Sequence, residues 1–377
     1  MANMHQIPKL LIVGAFPRKQ LDVHGGVLTA CSVLAESSLP KKIKICLVDS
    51  TSYFVPPKGI VYRTFKAIVK LTVYFYRLIT FRPNVVLLFA SPGASYLEKT
   101  LMGLIAQILG GKSIMFLQGL RIIDQASGKD FYSRFLRASF NFPNIMLCQG
   151  GAYQKYFVDE IGLAIDECPI IKNWTATKEL LDIGLRRDYI SNDISINILF
   201  LGWVSIDKGI FEFLESIKQL KDICLINNCR VLIAGNGGAM DQAKEFVRVN
   251  KLDSLIEFLG WINGGEKAVV LSKSQILVLP SYSEGMPNAV IEAMSAGLAV
   301  VATDVGCMRD LVEDGVNGLL VPSKDINYLR KSIEKLLYNR SLCSNMGHIG
   351  YKKAKDEFYI EPAVNKLVEL TRILMLK

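Results

Sequence analysis

Several motifs that define common protein classes are missing from this chain of 377 residues. The eight cysteines include no Cys-x-x-Cys pair, and neither Asp-x-Asp nor Gly-x-Ser-x-Gly occurs. Histidine is present only at positions 5, 24 and 348. These absences argue against a metal cluster and against a serine-hydrolase triad. We therefore expect no metal ion and no bound cofactor.

Long apolar runs are also missing. No uncharged hydrophobic stretch reaches the roughly 18 residues that a membrane-spanning helix needs, although half of the residues are hydrophobic. Together with the irregular spacing of the cysteines, this predicts a cytoplasmic protein with reduced thiols. A chain of this length is expected to contain two domains rather than one.

Acidic residues are scarce in the first half of the chain. Residues 1–190 contain 23 lysines and arginines against 13 aspartates and glutamates, whereas residues 191–377 contain 21 against 22. The net charge of +9 therefore belongs to the N-terminal half. This asymmetry indicates an anionic partner for that half, and nucleic acid, a membrane surface and a phosphorylated substrate all fit.

Short apolar runs alternate with helical patterns along the whole chain. KLLIVGAFP (9–17) is the first of these runs, and the pattern begins again after residue 190 with INILFLGWVSIDKG (196–209). Such alternation predicts buried parallel strands in doubly wound α/β domains. We predict two facing Rossmann-like domains, residues 1–180 and 190–360, with a ligand cleft between them. The helical pattern of 361–377 fits packing on either domain, including a return to the N-terminal one.

The segment SYSEGMPNAVIEAMSAG (281–297) joins a predicted strand to a helix and carries two carboxylates. Pro287 suits the start of the helix. The preceding loop presents backbone N–H groups at a helix N-terminus, which favours an anion, and Gly285 allows a ligand close to the backbone. Glu284 lies in this loop. Glu292 lies within the helix, where its side chain can lean back and bind the paired hydroxyls of a ribose, although a solvated helix residue is the alternative.

The longer stretch PSYSEGMPNAVIEAMSAGLAVVATDVGCMRDLVEDGVNGLLV resembles the nucleotide-sugar-binding segment of retaining glycosyltransferases of the GT-B fold, family four. The resemblance covers residues 196–345, and in the N-terminal half only the architecture and a glycine pair agree with it. It implies that Glu292 binds the donor ribose and that Glu284 lies near the transferred sugar. The positions that would hold the donor sugar and phosphates are Gly285, Met286, Pro287 and Asn288.

Two further stretches of the second domain share this resemblance. FLGWVSIDKG (200–209) matches the family segment that carries a basic pair for the donor diphosphate. Lys208 stands where the family has its lysine, and negative charge that grows on a leaving diphosphate needs such a cation. Trp203 stands where the family usually has arginine. Gly235 and Gly237, in GNGG, correspond to the family's glycine loop, although many strand–helix junctions carry such glycines.

In the first domain, His24, Gly25 and Gly26 follow the first predicted strand. The resemblance implies that glycines here admit the donor phosphates and the acceptor, and a plain tight turn is the alternative. Gln118 stands where relatives often have histidine. Glutamine can bind a sugar hydroxyl but cannot act as a base, which fits a front-face retaining reaction in which the leaving phosphate takes the acceptor proton. We assign His24 and Gln118 to acceptor binding, with a polar surface position as the alternative for His24.

Residues 62–82, YRTFKAIVKLTVYFYRLITFR, are the strongest candidate for membrane contact. At about 100° per residue, Arg63, Lys66, Lys70 and Arg77 fall within roughly 60° of arc, and the rest of the wheel is mostly apolar or aromatic. One interpretation is an interfacial helix that binds anionic lipid. The other is a core helix with a basic stripe facing solvent.

The resemblance implies a retaining, nucleotide-sugar-dependent, hexosyl-type glycosyltransferase, and the basic N-terminal half predicts that it is peripheral on the inner face of the plasma membrane. The expected acceptor is a lipid-linked glycan in cell-surface polysaccharide or O-antigen-type biosynthesis. The same chemistry on a soluble acceptor is the nearest alternative. A nucleotide-sugar epimerase of GT-B fold and an inactive donor-binding scaffold are the others. The donor segment argues against nucleic acid as the partner.

Overall fold

The computed structural model describes residues 7–16, 25–51, 59–119, 121–188, 196–223, 225–226 and 229–376. The chain divides into two compact units, Met1–Thr175 with Ile360–Lys377, and Ala176–Tyr359. The described part of each unit contains a parallel β-sheet whose strands alternate with helices along the chain. Each unit therefore has the Rossmann-like order predicted from the sequence.

The sheet of the first unit has the strand order β2-β1-β3-β4-β5, and all neighbouring strands are parallel. Its strands are β1 (Lys9–Gly14), β2 (Lys44–Asp49), β3 (Val85–Ala90), β4 (Lys112–Leu117) and β5 (Ile145–Leu147). Every residue of β3 is buried. Helices cover both faces of such a sheet, which is why its inner strands read as unbroken apolar runs.

Eight helices of the first unit are described. They are α1 (Gly26–Glu36), α2 (Leu39–Lys42), α3 (Ile60–Phe81), α4 (Ala94–Ile108), α5 (Arg121–Ala126), α6 (Phe131–Ser139), α7 (Gly151–Tyr156) and, from the C-terminus, α16 (Ile360–Leu376). A π-helical turn, Phe157–Ile161, extends α7. The side chain of Glu361 on α16 accepts hydrogen bonds from Ser38 (2.6 Å) and Lys42 (3.2 Å). The C-terminal helix therefore packs on the first unit.

The sheet of the second unit has the order β11-β10-β9-β6-β7-β8 and is also parallel throughout. Its strands are β6 (Ile196–Leu201), β7 (Cys229–Ala234), β8 (Ile256–Gly260), β9 (Ile276–Leu279), β10 (Ala299–Thr303) and β11 (Gly318–Val321). The order reverses between β9 and β6, so the loops after these strands lie at a topological switch point. Ligands of open α/β sheets bind at such points.

The remaining helices belong to the second unit. They are α8 (Lys178–Arg186), α9 (Ile210–Asp222), α10 (Met240–Val249), α11 (Gly264–Lys273), α12 (Asn288–Ser295), α13 (Met308–Leu311), α14 (Ile326–Tyr338) and α15 (Arg340–Glu357), and a 3₁₀ turn, Ile206–Lys208, precedes α9. Helix α8 packs against α12 and α15. The boundary between the units therefore precedes α8, and the boundary expected at residue 180 falls inside that helix.

Candidate functional site

The loop between β9 and α12 is closely packed. Ser281 and the run 284–287 are buried, and Pro287 occupies the position just before the helix with φ of −72°. The carbonyl of Pro287 accepts a hydrogen bond from the backbone N–H of Val290 at 3.2 Å, which closes the first turn. The chain therefore passes from strand to helix in one defined conformation, with the N–H groups of the first helical turn at the end of the loop.

Glu284 is only 9% exposed, and two side chains hold its Oε1 atom. The Nζ atom of Lys208 lies 2.6 Å from it, and the hydroxyl of Ser281 donates a hydrogen bond to it at 2.6 Å. The ion pair joins the turn after β6 to the loop after β9, two strands that are neighbours in the sheet. It uses one of the three N–H donors of the ammonium group, so Lys208 keeps donors for an anion.

A glycine makes this approach of two loops possible. Gly209 has φ of 70°, and a Cβ atom there would lie 2.1 Å from the carbonyl oxygen of Pro280. Any other residue would push the turn after β6 away from the end of β9. A backbone hydrogen bond from Tyr282 to the carbonyl of Asp207, at 2.9 Å, adds a second link. Gly209 was not predicted from the sequence, because only this contact distinguishes it from an ordinary turn glycine.

Glu292, in the middle of α12, is 5% exposed and also forms an ion pair. Its Oε1 atom lies 2.7 Å from Nζ of Lys267, whose side chain is 19% exposed. The alternative that Glu292 is a solvated helix residue is therefore wrong. Lys267 was not predicted, because only the tertiary structure shows that this residue of α11 lies beside Glu292 of α12.

The second unit thus contains two buried carboxylates, one just before α12 and one within it, each paired with a lysine through a single oxygen. The other oxygen of each carboxylate remains able to accept hydrogen bonds from hydroxyl groups. The lysines and the N–H groups at the start of α12 suit phosphate oxygens. This combination fits a ligand that carries both hydroxyl and phosphate groups.

Gly235 and Gly237 follow β7 and pack against the loop after β6. A Cβ atom on Gly235 would lie 1.7 Å from the carbonyl oxygen of Gly202, and one on Gly237 would lie 2.4 Å from that of Val204. Both glycines are therefore required for the close packing of two loops. Contact between these glycines and a donor stays a prediction.

Trp203, in the loop after β6, packs against Trp261, in the loop after β8. Their ring centroids are 5.1 Å apart and the ring planes meet at 52°. The position where the resemblance implies arginine therefore presents an aromatic ring in place of a cation. Another cation lies near the β9–α12 loop, since Nζ of Lys324 is 4.6 Å from the ring centroid of Tyr282.

In the first unit, Gly25 lies directly before α1 and Gly26 is the first residue of that helix. Gly25 has φ of 142°, which L side chains rarely adopt, so its backbone conformation alone requires glycine. This agrees with a tight turn, and binding of phosphates by either glycine stays a prediction. His24 lies outside the described residues.

Gln118 follows β4 and belongs to a network of amide side chains. The Nε2 atom of Gln149 donates to Oε1 of Gln118 at 3.1 Å and to Oδ1 of Asn173 at 2.7 Å, while its Oε1 atom accepts from the hydroxyl of Tyr153 at 3.1 Å. Within the described part of the chain, Nε2 of Gln118 is buried without a hydrogen-bond partner. A buried donor normally has a partner, so this N–H is suited to a ligand oxygen.

Gln149 and Asn173 were not predicted. Gln149 comes two residues after the end of β5, the strand beside β4, so it lies at the same edge of the sheet as Gln118. A polar residue directly after a buried strand is the signal that points to it.

The four predicted membrane-contact residues on α3 differ in their surroundings. Arg63, Lys66 and Arg77 are exposed. Lys70 is one quarter exposed, and its Nζ atom forms an ion pair with Glu98 on α4 at 2.9 Å. Lys70 therefore does not belong to the exposed basic stripe, because its charge is matched within the first unit.

Most of the α3 surface is apolar and faces outward. Within the described side chains of this helix, the buried ones are Tyr74 and Leu78. The exposed large apolar ones are Val61, Phe65, Ile68, Val69, Val73, Phe75, Tyr76 and Ile79. The alternative of a core helix is therefore wrong for most of α3. Nowhere in the described ranges is a helix both long and apolar enough to cross a bilayer.

The second unit contains the part of the chain that matches a known protein family. Residues 185–353 match the family model described as glycosyl transferases, group 1. The matched range contains both carboxylate–lysine pairs, the glycine loop after β7 and helix α12. The predicted resemblance to glycosyltransferases is therefore supported over this range.

Individual relatives are similar over different shares of the chain. An uncharacterised glycosyltransferase from Methanocaldococcus jannaschii is 31% identical over 173 residues, which are 46% of this chain and 47% of that protein. A Campylobacter jejuni enzyme is 26% identical over 271 residues, 70% of this chain and 69% of that protein; it is named as an α-1,4-N-acetyl-D-galactosaminyltransferase for a glycan carried on diphosphoundecaprenol. The chain spans about half the length of most of the relatives that it matches.

Solved structures match almost the whole chain. Sucrose-phosphate synthase from Thermosynechococcus elongatus has a TM-score of 0.75 at 17% identity, over 98% of this chain and 99% of that chain. Anabaena HepE, solved with UDP-glucose, has a TM-score of 0.70 at 16% identity, over 97% and 99% of the two chains. Similarity at this identity shows the fold alone. The predicted fold class, α/β of GT-B type with two Rossmann-like units, is confirmed.

Proposed function

We propose that this protein is a retaining glycosyltransferase that moves a sugar from a nucleoside-diphosphate sugar to a hydroxyl group of an acceptor. The observation that carries the proposal is the presence of two buried carboxylates around the start of α12, each paired with a partly exposed lysine, in Lys208–Glu284 and Lys267–Glu292. The family match over residues 185–353 supports the same activity.

In this proposal, the ribose, the transferred sugar and the diphosphate of the donor each have a partner of suitable chemistry. Glu292 binds the ribose hydroxyls, and Glu284 faces the transferred sugar. The backbone from Gly285 to Asn288 contacts the sugar and phosphates. Lys208 stabilises the negative charge that grows on the leaving diphosphate, which is a contribution to the transition state more than to the ground state.

Retention is proposed through a front-face reaction. The bond between the sugar and the diphosphate breaks while the acceptor oxygen approaches the same face, and a leaving phosphate oxygen takes the acceptor proton. This route needs no side-chain base. Gln118 suits it, because an amide can orient an acceptor oxygen through its Nε2–H but cannot accept the proton.

The proposed acceptor is a lipid-linked glycan of cell-surface polysaccharide or O-antigen-type assembly. The Campylobacter jejuni relative, named for a diphosphoundecaprenol-linked acceptor, supports this choice. The basic N-terminal half favours an anionic acceptor of this kind. A soluble acceptor is the alternative.

The proposed cellular place is the inner face of the plasma membrane, and α3 is the proposed contact. Its apolar side chains would enter the interfacial layer, while Arg63, Lys66 and Arg77 attract anionic headgroups. Each basic residue near an anionic surface contributes about 1 kcal/mol, and the effect fades beyond about 8 Å at physiological salt. Three such residues therefore hold the protein reversibly.

The donor assignment is tested by thermal unfolding with UDP, GDP, ADP and their sugars. A nucleotide at 100 times its dissociation constant should stabilise the protein by about 2.7 kcal/mol. NMR of the product should then show the anomeric configuration of the donor. Failure of all nucleotides to stabilise the protein contradicts donor binding, and an inverted product contradicts the retaining reaction.

The membrane contact is tested by sedimentation with vesicles of phosphatidylglycerol and phosphatidylcholine. Replacement of Arg63, Lys66 and Arg77 by glutamine should weaken binding, and high salt should do the same to the parent protein. The matched control replaces three exposed lysines of the second unit, Lys331, Lys352 and Lys355. Equal binding by both triple variants would remove α3 as the contact and favour a soluble acceptor.

A further inference from the structure

Lys267 and Glu292 meet although their helices follow strands that are not neighbours. Helix α11 leaves β8 at the edge of the sheet, and α12 leaves β9, with β6 and β7 between those strands. Nζ of Lys267 lies 2.7 Å from Oε1 of Glu292. The side chains are 19% and 6% exposed, respectively, so the contact is largely shielded from water.

A carboxylate this deeply buried is costly unless a partner compensates for its lost hydration. Lys267 supplies that partner through one oxygen and thereby fixes the rotation of the carboxylate about its last side-chain bond. The second oxygen then has a defined direction. The ribose hydroxyls then bind a carboxylate oxygen that is already in place, so binding does not have to bear the entropic cost of ordering the Glu292 side chain.

We infer that Lys267 is a positioning residue for the donor: it holds Glu292 in the orientation in which that carboxylate accepts the hydroxyl groups of the donor ribose. The inference rests on the proposed role of Glu292. It assigns Lys267 no contact with the donor, and it predicts that Lys267 acts on nucleotide binding only through Glu292.

The ion pair also links α11 to α12, and a purely structural role would have a different signature. Loss of a structural link weakens binding of every nucleotide to a similar degree. Loss of carboxylate orientation weakens binding of ribonucleotides selectively, because a 2′-deoxyribonucleotide has already lost one of the two hydroxyls. The ratio of the two affinities therefore separates the two roles.

The experiment measures dissociation constants by calorimetry for UDP, GDP and ADP and for the 2′-deoxy form of each. In the parent protein, the best nucleotide should bind at least about tenfold more tightly than its deoxy form, which is the effect of one hydrogen bond to a charged group. Lys267→Met should reduce this ratio to below about threefold, and it should weaken binding of the deoxy form, which keeps its 3′-hydroxyl, less than binding of the ribonucleotide. Lys267→Arg, which keeps a cation, should restore part of the ratio.

A double-mutant cycle gives a second and independent measurement. Glu292→Gln should lose the same discrimination, and addition of Lys267→Met to that variant should change neither dissociation constant by more than about twofold. The charge-neutral pair of substitutions leaves no buried unpaired charge, so this arm remains informative if Lys267→Met alone does not fold. Lys218→Met, which breaks the partly exposed Lys218–Glu215 pair within α9, is the matched control and should behave like the parent.

Each outcome decides a different point. A parent protein that binds none of the nucleotides contradicts the proposed function itself. A parent that binds them without discrimination contradicts the ribose role of Glu292. Two results overturn the inference about Lys267 and leave the proposed function standing. In the first, the parent prefers the ribonucleotide and Lys267→Met keeps the same ratio of affinities. In the second, Lys267→Met still changes the affinities when Glu292→Gln is already present.

Discussion

Replacement of Lys208 by methionine tests the chemical step that we propose. Methionine keeps most of the length and volume of the side chain and removes only the charge. If Lys208 stabilises the leaving diphosphate, its loss removes a charged donor from the transition state. We expect the turnover number to fall about 10²–10³-fold, which corresponds to about 2.7–4 kcal/mol, as for removal of one preorganised oxyanion donor. The KM for the donor should change less than the turnover number.

The same substitution also lowers the free energy of unfolding, and the burial of the two side chains sets the magnitude of this loss. Breaking a fully buried ion pair costs about 3–5 kcal/mol, because a buried charge is left without a partner. Lys208 is 21% exposed, and Ser281 still donates a hydrogen bond to Glu284 in the variant. We therefore expect the free energy of unfolding to fall by about 1–2 kcal/mol. A folded variant with a lower melting temperature should remain for kinetic assay.

The assay measures release of nucleoside diphosphate under saturating donor, with melting temperature recorded for each variant. Adding Glu284→Gln to Lys208→Met removes the unpaired charge, so it should recover part of the lost stability without recovering turnover. Lys218→Met, at the partly exposed i,i+3 pair Lys218–Glu215 of α9, serves as control and should cost less than about 1 kcal/mol. Turnover of Lys208→Met equal to that of the parent would refute the role assigned to this lysine.

Three further predictions concern other parts of the protein. Gln149→Leu should raise the KM for the acceptor and leave donor affinity unchanged, because Gln118 loses the contact that orients its amide; equal changes in both would contradict this. Lys99→Met should stabilise the fold by about 1 kcal/mol near neutral pH, since Lys99 is 2% exposed and Glu98 keeps its bond to Lys70. Burial lowers the pKa of Lys99 in the folded state, so the parent protein gains stability as the pH rises towards the pKa of this lysine in the unfolded state. The stability advantage of Lys99→Met, measured by urea titration, should therefore shrink at higher pH. A stability difference that stays constant with pH would contradict the lowered pKa of Lys99. Activity should persist in excess chelator, and loss of activity that magnesium or manganese restores would show a metal requirement.

The architecture could be predicted from the sequence because it depends on local patterns. Runs such as VVLLFA are apolar throughout, and they formed strands buried on both faces, as β3 shows. The restart of the pattern after residue 190 indicated the second Rossmann-like unit. The segment around Glu284 and Glu292 was recognisable because its loop, helix start and two carboxylates are contiguous in the chain.

The surroundings of α3 show why a pattern in one segment is not enough. The helical wheel grouped Lys70 with three other basic residues, since it contains only angles about one axis. Glu98, on the next helix, removes Lys70 from that group. The wheel also left open whether the apolar side of α3 faces a core, and only its packing in the first unit decided that most of it is exposed.

The amino-acid sequence alone was enough to predict the two α/β units and to identify the two carboxylates of the β9–α12 segment, because strand and helix periodicity and loop motifs act over fewer than about twenty residues. The pairing of each lysine with its carboxylate, and the hydrogen bond from Gln149 to Gln118, became known only from the folded arrangement of the strands. Lys208 and Glu284 are 76 positions apart, and Lys267 and Glu292 are 25 apart on separate helices. The strand order brings these residues together in the fold, and Gly209 allows the two loops that carry Lys208 and Glu284 to touch. Partners in ion pairs and hydrogen bonds are selected by position in space, so they leave no periodic pattern in the sequence.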